Sequence, residues 1–479
     1  MGELVREGEN MSEEQQVFVQ NSLILGRPGV QKNKNIIMPY ILDIIDNEES
    51  FLALDQDNFF LPRLGEKLKH KGYDIATINL RDVSKSILWS PLTVPLQAYR
   101  SDRFDLCEKQ LMDIATAIMM DKDVKQSKDP FWELAATDLF VALSLVLFKE
   151  SKDDNEITIK NIYNIAKIGF SKFSGTTYIE QYLEEPLPEN EKIKDIMASV
   201  LAAPSETRMS ILAVFYQQIR SLMNKISFFE NTDTESYDIQ KICNNKTAIF
   251  VCYEDESDFD IPVVKTFIKQ TLGIIIKNQK IALQKRPQFH FILNEFWTLG
   301  NCGDIDQIIM VGNKHNISFM FDISDIILLK KIYGSDMAEF IVNYCQKWVI
   351  MDVKQFKLLE KMNCTVYMTE EMNNILKIPC SLKENQVLVM KDAQWLELIT
   401  LNDLDGMEPK FEYIPPATSE KHDVKVFDMK TLVEERRRRE LVKSINNTSE
   451  LNIDSIIDKI DKKIAELELQ EQLERARNL

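Results

Sequence analysis

The sequence predicts an α/β fold: a mostly parallel sheet with helices on both faces, an all-α domain inserted into it, and a helical C-terminal tail. Three observations carry this. Short apolar runs alternate with helical stretches at both ends of the chain, the stretch between them shows only a 3.6-residue period, and beyond about Pro415 the composition turns polar.

The first run, Val17 to Leu25 (VFVQNSLIL), reads as a strand that passes through Gly-Arg-Pro-Gly into an Ile-rich helix, the entry unit of a nucleotide-binding α/β domain. A second strand, Ser50 to Leu54, ends in Asp55, and a third, Asp74 to Leu80, follows a helix containing Glu66 to His70. After Arg100, helical periodicity runs through Asp105–Asp121, Asp129–Lys149, Ile159–Ile168, Asn190–Leu201 and Ser205–Ile226, with apolar stripes that read as packed core. Strands resume at Thr247–Tyr253, Phe289–Leu293, Ser318–Phe321 and Lys347–Met351. The sheet is therefore expected from both ends of the sequence: residues 1–100 and 236–416 form one domain, 101–235 the inserted helical domain, and 417–479 a polar linker and tail. In that tail the basic run Arg436–Arg439 precedes Ile453, Ile457, Ile460, Ile464 and Leu467, whose spacing is that of a short coiled-coil seam; such a helix either takes a partner or folds back on its own domain.

Composition bounds the function. The 479 residues, 44% hydrophobic and 28% charged, are ordinary globular material for two or three domains. A net charge of −17 argues against a surface that grips phosphate backbones everywhere, and leaves a local basic lining or a basic protein partner. The seven scattered cysteines contain no C-x-x-C pair and read as reduced, mostly buried thiols. A membrane span needs about 20 mostly apolar residues. Runs such as Leu139–Phe148 are shorter, and MGELVREGENMSEEQQ lacks the apolar stretch of a signal peptide, so the expectation is a cytoplasmic protein without a span of its own.

The segment Gly26-Arg27-Pro28-Gly29-Val30-Gln31-Lys32-Asn33 stands where a phosphate-binding loop belongs. The G-x-x-x-x-G-K-[ST] pattern exists because backbone N–H groups wrap the phosphates, the lysine reaches the outer phosphate, and the hydroxyl binds magnesium. Gly26, Gly29 and Lys32 fit, whereas Gln31 replaces the second motif glycine and Asn33 the hydroxyl. Taken alone, the segment also reads as a turn before a helix. The second half of such a site is an apolar strand ending in Asp-Glu, one for the magnesium shell and one to polarise water. Here Phe291-Ile292-Leu293 ends in Asn294-Glu295: Glu295 is the candidate base, and Asn33 and Asn294 make at best a weakened magnesium shell.

The stretch from Phe289 to Cys345, with Asn294-Glu295-Phe296, Leu299-Gly300 and Leu329-Lys330-Lys331-Ile332-Tyr333-Gly334, resembles the coupling proteins of type IV secretion and conjugation, RecA-like P-loop ATPases. Pro39, Lys71-Gly72-Tyr73, Asn79-Leu80-Arg81-Asp82, Ser90-Pro91-Leu92, Asp129-Pro130-Phe131-Trp132-Glu133 and Pro204–Leu212 follow in the family's order, over roughly Gln16 to Pro416. The departures fall on the chemistry. Where family members place a γ-phosphate-sensing glutamine, the equivalent stretch Phe319–Asp325 offers Ser324; Asn313, Lys314 and His315 stand where the family is basic; Asp55-Gln56-Asp57 replaces an acidic-lysine signature.

The resemblance implies ATP and magnesium as cofactors, hexameric assembly, DNA or protein substrate, and a substrate-recognising role for the helical domain. Family members usually begin with membrane helices, so this chain is expected at the inner face of the cytoplasmic membrane through secretion-machine membrane subunits or an active coupling ATPase. The altered motifs point to a coupling-protein-like subunit with impaired hydrolysis, a pseudo-ATPase. An active ATP-driven translocase of the same family and a scaffold unconnected with secretion are the alternatives.

Overall fold

The computed structural model describes residues 20–27, 29–120, 130–223, 239–243, 245–254, 260–281, 288–303, 305–360, 382, 385–391, 395–401, 408–415, 425–446, 459–468 and 470. It divides into two compact units, the first from residues 1–89 and 235–420, the second from 90–234 and 421–479.

The first unit is built on a nine-stranded sheet. In chain order its strands are β1 (Ser22–Leu25), β2 (Ser50–Leu54), β3 (Asp74–Asn79), β6 (Thr247–Cys252), β7 (Phe289–Leu293), β8 (Ile317–Ile323), β9 (Lys347–Ile350), β10 (Gln386–Lys391) and β11 (Trp395–Thr400). The numbers β4 (Lys172–Phe173) and β5 (Thr176–Thr177) belong to a small hairpin of the second unit. The spatial order is β11-β10-β9-β1-β8-β7-β2-β6-β3. Seven strands run parallel, and the β10–β11 hairpin adds antiparallel to β9. Strands covered by helices on both faces should be apolar throughout. The residues of β1, β6, β7 and β8 are accordingly all buried.

The polar residues inside these runs are paired. At the start of β7, His290 lies 2.8 Å from a Glu49 carboxylate oxygen, and its other ring nitrogen 2.7 Å from the Ser318 hydroxyl on β8. The helix after β1 packs Ile36, Ile37, Ile41, Ile44 and Ile45 against Phe51, Phe250, Ile292 and Met320. That one cluster fixes the loop before the helix relative to the strand ends beside it.

The second unit is helical, with the Phe131–Glu150 helix at its centre; thirteen of its residues from Ala135 to Phe148 are buried. By length and composition this is the one helix among the described residues that could cross a membrane, and 72% of its most apolar window is buried inside the unit. The expected helices form with small boundary shifts, except that Asn190–Leu201 is two helices, Pro188–Ile196 and Ala198–Leu201, and Thr177 with Glu180 makes a capping box at the Tyr178–Leu183 helix. The unit begins before residue 101, since the Thr93–Arg100 helix belongs to it.

The tail also joins this unit. Helix Met429–Asn446 buries Phe427 and Met429 at its start and Val433 within it. Arg436 places Nη2 2.8 and 2.7 Å from the two Glu150 carboxylate oxygens, and Nη1 2.8 Å from Glu185. Of the expected coiled-coil seam, Ile453 and Ile457 lie outside the described residues, while residues 459–468 are helical.

Candidate nucleotide site

All the expected site residues gather at the carboxyl ends of the parallel strands, the edge where open α/β sheets bind ligands. β1 ends at Leu25, and four loop residues later a helix starts at Val30. Its turn over Asn33–Ile37 is π-helical, with the Met38 N–H donating to Asn33 O, before a regular helix continues to Asp46. A single π turn of this kind is frequent at functional sites. Gly26 leaves no room for a side chain, because a Cβ there would stand 2.5 Å from Met351 Sδ. Gly29 has φ +156° and open space around it. The backbone N–H groups of Lys32 and Asn33, two donors that a phosphate cradle would use, are given to Gly29 O at 3.1 and 3.4 Å.

Lys32 is 1% exposed, and its Nζ lies 2.8 Å from Oδ2 of Asp322, itself 0% exposed. The ammonium also donates to Gly26 O at 3.3 Å. Asp322 arrives there through register. On β8 it is the partner of Ile24 on β1, and Phe321 pairs with Leu293 on β7, so Asp322, still within β8, comes beside Asn294, the residue after β7. The same Oδ2 accepts the Glu295 N–H at 3.1 Å. Burial raises the Asp322 carboxyl above its ordinary range, with Lys32 pulling the other way. At an effective dielectric of about 20, a contact this short is worth a gross attraction of roughly 4 kcal/mol or more.

The carbonyl end of β7 is equally engaged. Asn294 donates to Gln56 Oε1 at 3.4 Å, while the Gln56 amide donates to Asn294 O and to Tyr253 Oη, each at 2.9 Å. Tyr253 Oη in turn meets Thr298 Oγ1 at 2.8 Å. This is a neutral amide and hydroxyl network where the motif would place a magnesium-binding carboxylate. Among the described residues, Asn294 Oδ1 and Asp322 Oδ1 are buried oxygens without a hydrogen-bond partner. Glu295 follows with φ +50° and ψ +45°, a left-handed conformation that costs a non-glycine residue roughly 1–3 kcal/mol and is held here by the bond to Asp322. Asp55 is engaged at a helix start. Its carboxylate caps the Leu61–His70 helix by accepting the N–H groups of Phe59, Phe60 and Leu61.

Gly26, Gly29, Gln31, Lys32, Asn33, Asn294 and Glu295 thus share one strand edge. Gln31 is exposed and accepts from Asn35 at 2.9 Å. Ser324, expected at the sensor place, is half-buried on the turn after β8; the residue that reaches the loop is Asp322. An acidic residue inside the apolar run ISFMFDI was the available signal, since a charge in such a strand must be paired. Nothing local in the sequence marks Tyr253, Thr298 or Met351, which come from three separate segments.

In fold, the chain is similar to the plasmid coupling protein TrwB in complex with a non-hydrolysable ATP analogue, at a TM-score of 0.58 and 11% identity over 84% of this chain and 89% of that one. TrwB in complex with ADP and Mg2+ gives a TM-score of 0.58 at 10% identity over 83% and 88%. The bacterial conjugative coupling protein lacking its first 70 residues, in its unbound monoclinic form, gives 0.58 at 10% over 83% and 88%. These likenesses establish the α/β, RecA-like fold. The chain matches none of the curated proteins by sequence. The model of the family described as "Type IV secretory system Conjugative DNA transfer" matches residues 12–365, well over half of the 479. This protein therefore belongs to the type IV secretory system conjugative DNA transfer family.

Proposed function

We propose that this protein is a coupling-protein-like subunit of a type IV secretion or conjugation machine that recruits substrate or assembles with an active ATPase, and does not itself turn over ATP. The observation that carries the reading is the Lys32–Asp322 pair: the lysine that would meet the outer phosphate is already neutralised, out of reach of water, at 2.8 Å. Magnesium and a triphosphate do not fit this arrangement. A phosphate would bring further negative charge beside Asp322, while the N–H groups of Lys32 and Asn33 are committed to Gly29 O and the magnesium place holds a neutral amide network. Phosphoryl transfer depends almost wholly on positioning and charge, so losing these together removes most of what catalysis would use.

Family membership supports attachment to membrane subunits of the machine and assembly as a homo- or hetero-hexamer, with the helical unit meeting DNA or protein cargo. In the test, the purified full chain is given Mg-ATP and phosphate release is followed, with Glu295→Ala as the control because a change at Lys32 would strand a buried charge. The expected turnover is indistinguishable between the two proteins, and the chain should co-purify with components of the secretion machine. A clear wild-type rate that vanishes in Glu295→Ala would replace this reading with that of a working translocase.

A further inference from the structure

We infer that Asp322 is an internal counter-ligand: its carboxylate holds Lys32 in the place of a phosphate, and it, more than the altered motif residues Gln31, Asn33 and Asn294, is what closes the site to nucleotide. The inference rests on the reading of a subunit that does not turn over ATP and names the residue responsible.

The four candidates for closing the site differ in what each would have to give up. Gln31 is exposed and accepts one part-buried hydrogen bond from the buried Asn35 amide, so moving it aside costs a neutral hydrogen bond and strands no charge. Asn33 is half-buried and still offers an oxygen. Asn294 lacks a charge, which weakens a metal but leaves a triphosphate unhindered. Asp322 is different in kind. It and Lys32 are 0% and 1% exposed, so they cannot part without leaving two charges in a medium that solvates neither. A phosphate that took Lys32 would also face the Asp322 carboxylate at close range, where like charges repel with little screening.

Asp322 is moreover the hub of the strand ends. One oxygen holds both the Lys32 ammonium and the N–H of left-handed Glu295, joining the loop after β1 to the turn after β7. These are the two halves that would have to open around a ligand. With Asp322 made neutral, Lys32 remains buried without an anion and becomes a binding site for one.

The test is thermal shift and calorimetry on the full chain with ATP, without and with magnesium. Wild type is expected to be silent. Asp322→Asn is expected to bind ATP without magnesium, its Tm rising by roughly 5 °C at ATP about 100 times Kd. Inorganic triphosphate should give the same response, because the lysine reads phosphate alone. The repair variant Gln31→Gly/Asn33→Ser/Asn294→Asp, with Asp322 in place, should stay silent, and it decides the matter even where Asp322→Asn does not fold.

Three results would overturn the inference: ATP binding by the repair variant, a folded Asp322→Asn that ignores ATP, or wild-type binding of Mg-ATP that Asp322→Asn loses. The last would mean that Asp322 lends its unpartnered Oδ1 to magnesium in place of the charge missing at Asn294. ATP binding by the repair variant leaves the non-hydrolysing reading standing, whereas turnover by the wild type removes that reading first.

Discussion

Lys32 and Asp322 have no solvent to fall back on, so removing one strands the other. Lys32→Met is expected to lower stability by about 3–5 kcal/mol, while Lys32→Met combined with Asp322→Leu recovers most of the loss. Chemical denaturation of the two single variants and the double variant measures this, and a double-variant loss equal to the sum of the two single losses would mean that the pair carries no coupling. A second residue couples stability to pH. Burial raises the Asp55 carboxyl from 3.8 to about 6 against the pull of its three backbone N–H bonds. A raised carboxyl pKa means that the unfolded chain releases this proton at lower pH than the folded one does. Ionising Asp55 therefore lowers stability as pH rises from about 4 to about 6, by roughly 3 kcal/mol in all. Asparagine keeps a capping oxygen without the charge. The difference in Tm between Asp55→Asn and wild type should grow in favour of the variant over that window, and a constant difference would refute the assignment.

At the scale of elements, the Met429–Asn446 helix is held by apolar contacts, by Arg437 over the Phe173 ring, by the Tyr178 hydroxyl donating to Glu434, and by Arg436. Arg436 sits above the Tyr182 ring with 5.0 Å from guanidinium to centroid, and Tyr182 donates its hydroxyl to the same Glu150 at 2.8 Å, so the guanidinium closes a part-buried network. Arg436→Ala should cost the helical unit roughly 2–3 kcal/mol, because Glu150 would keep its burial and lose its cationic partner, with only the Tyr182 hydroxyl left to it. Limited proteolysis read at residues 425–446 should accelerate, and an unchanged rate would show that the remaining contacts hold the helix without Arg436. The sequence displayed the four arginines 436–439 as one basic run, but only the fold separates them: Arg436 and Arg437 are partly covered while Arg438 and Arg439 are exposed. The β10–β11 hairpin is not legible in the sequence for a similar reason. Its strands QVLVMK and WLELIT alternate only loosely, and their identity depends on the open edge of β9 that they cover.

For the whole molecule, the −17 charge and the family point in different directions, since a conjugative machine handles DNA while that net charge argues against a broad basic coat. A subunit that assembles with an active partner reconciles the two, because the contact with nucleic acid can then be supplied by that partner or by a small local surface. Division into a sheet unit and a helical unit also fits the chain order. The sheet is begun by the first ninety residues and completed after the insertion, and each unit takes in a distant segment to close its core.

The amino-acid order by itself determined the seven parallel strands, the insertion, and the gathering of loop and strand-end motifs at one edge, because apolar runs and 3.6-residue periods respond to local chemistry and parallel strands joined by helices put their carboxyl ends together. It also marked which motif positions had changed. Only the tertiary structure decided what became of Lys32. A buried charge is defined by its neighbour, and that neighbour is set by strand order and register, which place β8 between β1 and β7 and bring Asp322 to the lysine.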